Sequence, residues 1–140
     1  MAIVQTQCTV FKVNLLKGTE NFNVGSPYTY KIALYTASAN LNADTLAYTT
    51  TDEITGTGYA AGGEDLTPTV PSSGSGTAFV SFADVTWDPA SFTTRGALIY
   101  NGTTGAAVAV LNFGSDKTAT NTFTVTFPTA DASNAILRIS

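Results

Sequence analysis

Proton-transfer chemistry has few candidates in this chain of 140 residues, because it contains no histidine. The Ser-His and Cys-His nucleophile pairs and the zinc sites that depend on imidazole are therefore excluded. The remaining hydrolytic option is a carboxylate pair of the kind that glycosidases use, for which Asp84 and Asp88 are the nearest candidates. Asp88 precedes Pro89, where an aspartate ordinarily makes an Asx-turn hydrogen bond. We expect a non-enzymatic protein without catalytic residues, and a carboxylate glycosidase is the alternative.

A glycine-rich stretch at residues 55–63 weakly resembles a phosphate-cradling loop. A dinucleotide loop follows a buried strand and opens a helix, and the flanking segments predict neither. Four carboxylates flank the stretch and could converge on calcium, but their spacing matches no calcium-binding loop. We predict a surface loop with positive φ angles and expect neither a cofactor nor a metal site; the four carboxylates are Asp52, Glu53, Glu64 and Asp65.

The composition favours β-structure and argues against binding to nucleic acid. Charged residues make up only 11% of the chain and hydrophobic residues 44%, whereas threonine occurs 25 times. Because threonine is β-branched, it suits the exposed face of a pleated sheet. The net charge of −4 leaves no basic stripe for phosphates, so we expect no direct contact with nucleic acid.

The N-terminal region predicts an arm at residues 1–7 and a short helix at residues 8–17. Cys8, Phe11 and Leu15 lie on one helical face, with Val13 and Leu16 adjoining, and a glycine follows the last basic residue as a C-cap. A helix this short must dock its apolar face on its own sheet or on a partner. Phe11 and Leu15 are therefore candidate structural or interface residues, and the lone Cys8 is expected to be a small buried hydrophobe.

The arm lacks the pattern of a signal peptide, and no stretch has the length of a membrane helix. We therefore expect no leader peptide and no membrane partner.

After the helix, apolar residues recur at every second position and no longer at helical spacing. Residues 28–35 predict a half-buried strand, and residues 66–70 predict an edge strand because Pro68 cannot donate to a ladder. Asn101-Gly102 is a hairpin signal. Further short strands are predicted at residues 77–82, 107–113, 123–127 and 135–139. These patterns indicate one domain over residues 1–140, an all-β antiparallel sandwich or jelly-roll-like barrel with one short N-terminal α-helix.

Residues 82–101 contain the only tryptophan and predict two strands joined as a hairpin by a proline-containing connection. Arg95 is expected to pair with Asp84 across this hairpin or to contact another subunit. Trp87, Phe92 and Tyr100 could form a sugar-stacking platform. A lone tryptophan in a small sandwich is more often a core or interface anchor. The candidate structural or interface residues of this stretch are Trp87, Phe92, Arg95 and Tyr100.

Several blocks of the chain together resemble a family of small virion structural proteins of tailed bacteriophages, whose members are associated with the head or with the tail. The similarity runs from about residue 8 to residue 139. The blocks are Phe11-Lys12 with Leu15-Leu16 and Gly18, Lys31-Ile-Ala-Leu-Tyr-Thr, Gly56-Thr-Gly-Tyr-Ala-Ala-Gly-Gly, Phe82-Ala-Asp-Val-Thr-Trp, Thr94-Arg-Gly-Ala-Leu-Ile-Tyr-Asn and Phe113-Gly-Ser-Asp-Lys.

The resemblance implies an assembly role in the virion, with no catalytic residue to carry over. A small, acidic, threonine-rich β domain suits a cement or decoration protein on the capsid surface. Its partners would be the major capsid protein and other copies of the chain, as a homo-oligomer or as lattice neighbours, with edge strands or the N-terminal arm augmenting neighbouring sheets. The alternative is a tail or fibre component that binds host carbohydrate through Trp87, Tyr59 or Tyr100.

Overall fold

The computed structural model describes residues 2–140. Within them, one helix and ten strands follow one another along the chain: β1 (Thr6–Gln7), α1 (Thr9–Lys17), β2 (Tyr30–Tyr35), β3 (Glu64–Leu66), β4 (Ser72–Gly74), β5 (Thr77–Val80), β6 (Val85–Trp87), β7 (Phe92–Asn101), β8 (Ala107–Ala119), β9 (Phe123–Val125) and β10 (Leu137–Ile139).

The strands form three antiparallel sheets with the orders β1-β8-β7-β2-β3, β10-β5-β4 and β6-β9. This sandwich-like, all-β architecture with one short helix confirms the predicted fold class. None of the helical segments within residues 2–140 has the length and apolarity needed to cross a bilayer.

The centre of the fold is the run of three adjacent strands β8, β7 and β2. Consecutive residues of β2 from Ile32 to Tyr35 are all fully buried, so this strand is covered on both faces and not half-buried as the alternation predicts. Residues 45–63 help to cover it, since the Tyr35 hydroxyl donates to the Thr49 carbonyl and the Ile54 amide donates to the Leu34 carbonyl. The apolar strands therefore need covering segments on both sides.

Helix α1 starts one residue later than the predicted helix at residues 8–17, because Cys8 is its N-cap, and Gly18 is its C-cap as predicted. Gly18 has a left-handed φ of 75°, and its amide donates to the carbonyls of the preceding turn. Cys8 is fully buried, and burial raises the pKa of its thiol to about 11. Phe11 is the buried residue of the helix, whereas Leu16 is 90% exposed.

The N-terminal arm lies on the domain's own sheet. β1 pairs with β8, and Ile3 forms an isolated bridge with Leu41 and is buried. The arm thus adds a strand to the five-stranded sheet of its own chain. The sequence had led us to expect that it could instead add a strand to a neighbouring sheet.

Residues 82–101 do not form the predicted hairpin. β6 pairs with β9, with Trp87 opposite Phe123, whereas β7 pairs with β8 and β2. The connection through Pro89 therefore carries the chain from one sheet to another. The hairpin is wrong because a turn signal is local, whereas the partner of a strand is chosen by the apolar surface available in the folded chain.

Other boundaries also differ from the prediction, among them the ends of β5, β8, β9 and β10. The predicted edge strand at residues 66–70 is displaced to β3, and Pro68 forms only an isolated bridge with Phe82. Residues 72–74 of the predicted turn form β4. Asn101 ends β7 as the hairpin signal indicates, but the connection extends to Ala106, and the Asn101 Oδ1 accepts hydrogen bonds from the Thr103 and Thr104 amides.

Glu20 is a buried carboxylate that ties the loop after α1 to the central sheet. Its Oε1 accepts hydrogen bonds from the Tyr30 hydroxyl at 3.0 Å and from the Asn101 Nδ2 at 2.9 Å. Its Oε2 is buried and has no hydrogen-bond partner within residues 2–140. Burial raises the pKa of Glu20 above its ordinary value of 4.5, although the hydrogen bonds from Asn101 and Tyr30 oppose the rise.

The folding stability of the wild type is expected to fall with rising pH because of Glu20, and the Glu20→Gln variant should lack this fall. Because the pKa is higher in the folded chain than in the unfolded one, the folded chain holds a proton that the unfolded chain loses above about pH 4.5. The stability of the wild type relative to the variant should therefore fall as pH rises from 4.5, by up to about 1.4 kcal/mol per pH unit within the window. Urea unfolding of both proteins between pH 4.5 and 8 measures it.

The control is Glu64→Gln, which removes a carboxylate from an exposed position on β3. A stability difference between wild type and Glu20→Gln that stays constant over this pH range would contradict the prediction.

Candidate functional site

An apolar groove runs between α1 and β10, and we name it the α1–β10 groove. Its inner pocket has a volume of about 160 Å³, and its lining residues are apolar apart from Gln7 and Ser72. An outer depression of about 390 Å³ adjoins it, because Gln7, Leu15 and Ile139 line both. The inner pocket is lined by Gln7, Phe11, Leu15, Phe22, Pro71, Ser72, Ala78, Phe79, Val80, Leu137 and Ile139; the outer depression adds Lys12, Leu16 and Arg138.

The groove exists because two short elements each leave an apolar side chain uncovered. In β10, Leu137 and Ile139 share a face by strand alternation, yet Leu137 is buried and Ile139 is 55% exposed. In α1, Phe11 and Leu15 share a face by their spacing of four, and Leu16 points further toward solvent. The groove therefore continues the hydrophobic core to the surface.

No carboxylate is among the lining residues of the groove, and Lys12 lines its outer depression. In the β5–β10 pair, Arg138 stands opposite Phe79, whereas Leu137 and Ile139 stand opposite Val80 and Ala78. Strand alternation therefore puts the Arg138 side chain on the face away from Leu137 and Ile139, where its Nη1 donates to the Ser133 carbonyl at 2.7 Å. The groove thus has an apolar floor with one cation, Lys12, at its outer rim.

The structure places the six candidate residues in different parts of the molecule. Phe11 and Leu15 line the groove. Trp87 and Phe92 lie in the core against Phe123, with ring centroids 5.9 and 5.5 Å from it. Tyr100 is also buried, and its hydroxyl donates to the Gly62 carbonyl. Since Trp87, Phe92 and Tyr100 are all buried, they do not form a surface platform on which a sugar could stack.

The ion pair predicted between Arg95 and Asp84 is wrong. The Arg95 Nη1 lies 3.2 Å from the Asp116 Oδ1 on β8, the strand that pairs with β7. The Asp84 Oδ1 instead accepts a hydrogen bond from the Phe127 amide at 2.9 Å. Asp84 is therefore held by a hydrogen bond from the segment that follows β9.

The glycine-rich stretch is held in place by Glu53. Its Oε1 accepts from the Tyr48 hydroxyl, and its Oε2 accepts from the Tyr59 hydroxyl and the Gly62 amide, at 2.5–2.8 Å. Gly58 has a φ of 85°, and a Cβ there would lie 1.7 Å from the Pro89 carbonyl oxygen. The predicted positive φ angles are thus confirmed, and their cause is close packing of the loop on its own chain.

The tyrosines around Glu53 stay protonated at neutral pH. Burial is the main cause that raises the pKa of Tyr48 and Tyr59, and their bonds to Glu53 raise it further. Burial also raises the pKa of Tyr100 to about 12, and this ring stacks on Tyr48 at 4.7 Å. Glu53 is thus an acceptor for protonated hydroxyls, and neither Glu64 nor Asp65 joins it: both lie on β3, where Asp65 pairs with Lys31.

The sequence interpretation missed the residues that β10 contributes to the groove. Residues 135–139 predict a strand, but Arg138 and Ile139 were not among the candidate interface residues. The available signal was the alternation of Leu137, Arg138 and Ile139, which places two apolar side chains on one face.

Comparisons of the chain with protein families, with curated proteins and with solved structures found no match. The resemblance to tailed-bacteriophage virion proteins therefore stays a prediction from the quoted sequence blocks.

The Tyr59→Phe variant is expected to unfold about 1–3 kcal/mol more easily than the wild type. The Tyr59 hydroxyl donates to Glu53 and accepts from the Leu34 amide at 2.9 Å, so its loss leaves a partly buried amide without its partner. Urea unfolding at neutral pH measures the difference. Tyr28→Phe is the control, because its ring is partly buried and its hydroxyl takes part in neither bond; equal losses in both variants would contradict a clamping role for Tyr59.

Proposed function

We propose that the chain is a non-enzymatic structural protein of a tailed-bacteriophage virion, and that it binds the major capsid protein on the capsid surface as a cement or decoration protein. Copies of the chain would sit side by side as a homo-oligomer or as lattice neighbours. The observation that carries the proposal is the α1–β10 groove. It is an exposed apolar surface with Lys12 at its outer rim, and exposed apolar patches edged by polar residues are typical of protein-binding sites.

The disposition of the polar side chains supports a role in binding over a role in catalysis. Glu53, Asp84 and Glu20 each accept hydrogen bonds that tie one segment of the chain to another. The oxygens that accept these bonds are used inside the fold, where they connect the segments that present the groove. The resemblance of the sequence blocks to virion structural proteins favours the same conclusion.

Repetition over a shell would let a groove of this size have a large effect. One buried leucine side chain contributes about 1.5–3 kcal/mol, which is a modest affinity for a single site. A lattice of such contacts links many copies at high effective concentration, so that the combined attachment becomes strong. A small protein with one apolar groove is therefore sufficient for a stabilising role on a capsid.

The proposal predicts that the purified chain co-sediments with capsid shells of a phage that encodes it, and that shells carrying it resist heating better than shells stripped of it. The Leu16→Asn variant should bind the shells at least about tenfold more weakly, because it removes an exposed apolar side chain from the groove. Quantitative co-sedimentation measures binding, and the temperature of DNA release from intact particles measures the stabilisation.

The matched control is Leu46→Asn, which replaces a leucine that is 68% exposed and lies outside the groove near Val13. Equal binding by Leu16→Asn and the wild type would contradict the use of the groove. Absence of the chain from purified virions would contradict a virion role, and its localisation on the tail would contradict the capsid assignment.

A further inference from the structure

The connection between α1 and β2 is attached to the central sheet by one carboxylate and one aromatic ring. Among residues 18–27, Glu20 and Phe22 are buried, and most of the others are exposed. Val24 in this segment is 89% exposed. A segment with so few buried side chains can leave the sheet without unfolding of the strands beneath it.

The carboxylate lies at the end of a short chain of hydrogen bonds. The Asn21 amide donates to the Tyr30 hydroxyl at 2.9 Å, and this hydroxyl donates to the Glu20 Oε1 at 3.0 Å. The Asn101 Nδ2 donates to the same oxygen at 2.9 Å. The Glu20 Oε2 is buried and receives no hydrogen bond within residues 2–140. An ionised side chain would therefore bury a charged oxygen without a donor, which costs more than burying a neutral carboxyl group.

No neighbouring cation offsets the burial of an ionised Glu20. The polar side chains that face it are Asn14 of α1, Tyr30 of β2 and Asn101 of β7, and no cation is among the groups that act on its pKa. Neither ion pair within residues 2–140 includes Glu20. Tyr30 is the titratable neighbour, and Tyr28 acts on it in turn. Burial raises the pKa of the Tyr30 hydroxyl, so it stays neutral where Glu20 titrates.

Phe22 connects this contact to the α1–β10 groove. Its ring stacks on Tyr30 with the centroids 4.3 Å apart and meets Phe11 edge-on at 5.9 Å. Phe22 also lines the inner pocket of the groove. Because Phe22 follows Glu20 by two residues, the pocket keeps this wall only while the connection lies on the sheet.

We propose that Glu20 is a pH-sensitive latch, whose protonated side chain holds residues 18–27 on the sheet and whose loss of the proton to solvent releases them together with Phe22. The released side chain ionises above about pH 4.5, whereas the buried one keeps its proton to higher pH. The equilibrium constant for release therefore rises by up to about tenfold per pH unit, until the buried side chain ionises as well. The latch is a property of the fold and is independent of the proposed capsid role.

Amide hydrogen exchange followed by NMR between pH 5 and 8 tests the latch, with each rate divided by the rate of an unstructured chain at the same pH. The Asn21 amide is the reporter, because its acceptor is the hydroxyl that bonds to Glu20. Its protection in the wild type should fall by up to about tenfold per pH unit within this range. Its protection should also be lower than that of the β7 amides and unchanged by urea too dilute to unfold the chain.

The Glu20→Gln variant keeps the size of the side chain and an acceptor oxygen but cannot ionise, so its Asn21 protection should stay constant over this pH range. Glu64→Gln is the matched control, since it removes an exposed carboxylate from β3 and should keep the wild-type fall. If Glu20→Gln does not fold, the wild-type series decides alone.

Constant protection of Asn21 in the wild type would overturn the proposal, and so would a fall with pH that persists in Glu20→Gln. The same protection and urea dependence at Asn21 and in β7 would mean that the connection opens only when the whole chain unfolds. That result would overturn the latch while leaving the predicted pH dependence of global stability intact.

Discussion

Burial of the central strands on both faces is the constraint on which the rest of the structure depends. Residues 32–35 of β2, 96–101 of β7 and 107–111 of β8 are buried without alternation, so other segments of the chain must cover them on both faces. Two carboxylates provide this attachment. Glu20 connects the loop after α1 to Tyr30 and Asn101, and Glu53 connects the glycine-rich stretch to Tyr59. Hydrogen bonds to a carboxylate are stronger than those between neutral groups, which suits Glu53 to this attachment. At Glu20 burial opposes ionisation, so part of that gain is lost there.

The same constraint leaves the groove uncovered. α1 directs Phe11 onto Phe22, whose ring stacks on Tyr30 at 4.3 Å, and this contact joins the helix to the central sheet. The opposing sheet consists of β4, β5 and β10, which are strands of three or four residues, and Ile139 at the end of β10 is left 55% exposed. An apolar surface therefore remains where the covering layer ends.

Local patterns predicted the local features of the fold. Helical spacing and Gly18 define α1, and period-two alternation with turn residues indicates an all-β chain. The pairing of β6 with β9 was not predictable in this way, because residues almost forty positions apart share no turn signal. The helix period predicts that Leu15 shares a face with Phe11, and both line the groove. Strand alternation likewise gives the face of Ile139 but not its exposure, because the exposure of an apolar strand residue depends on whether another segment covers it.

The surroundings of each cation, not the net charge of −4, decide which charges remain beside the groove. Interactions between exposed charges are screened beyond about 8 Å at physiological ionic strength, so distant carboxylates contribute little there. Lys31 and Arg95 pair with carboxylates, and the Arg138 guanidinium donates to the Ser133 carbonyl on the other face of β10. Lys12 is therefore the lining residue that keeps a charge beside the apolar pocket. Under the proposed capsid role, affinity would come from the apolar floor and from avidity on the lattice, and a single charge at the rim would act mainly on orientation.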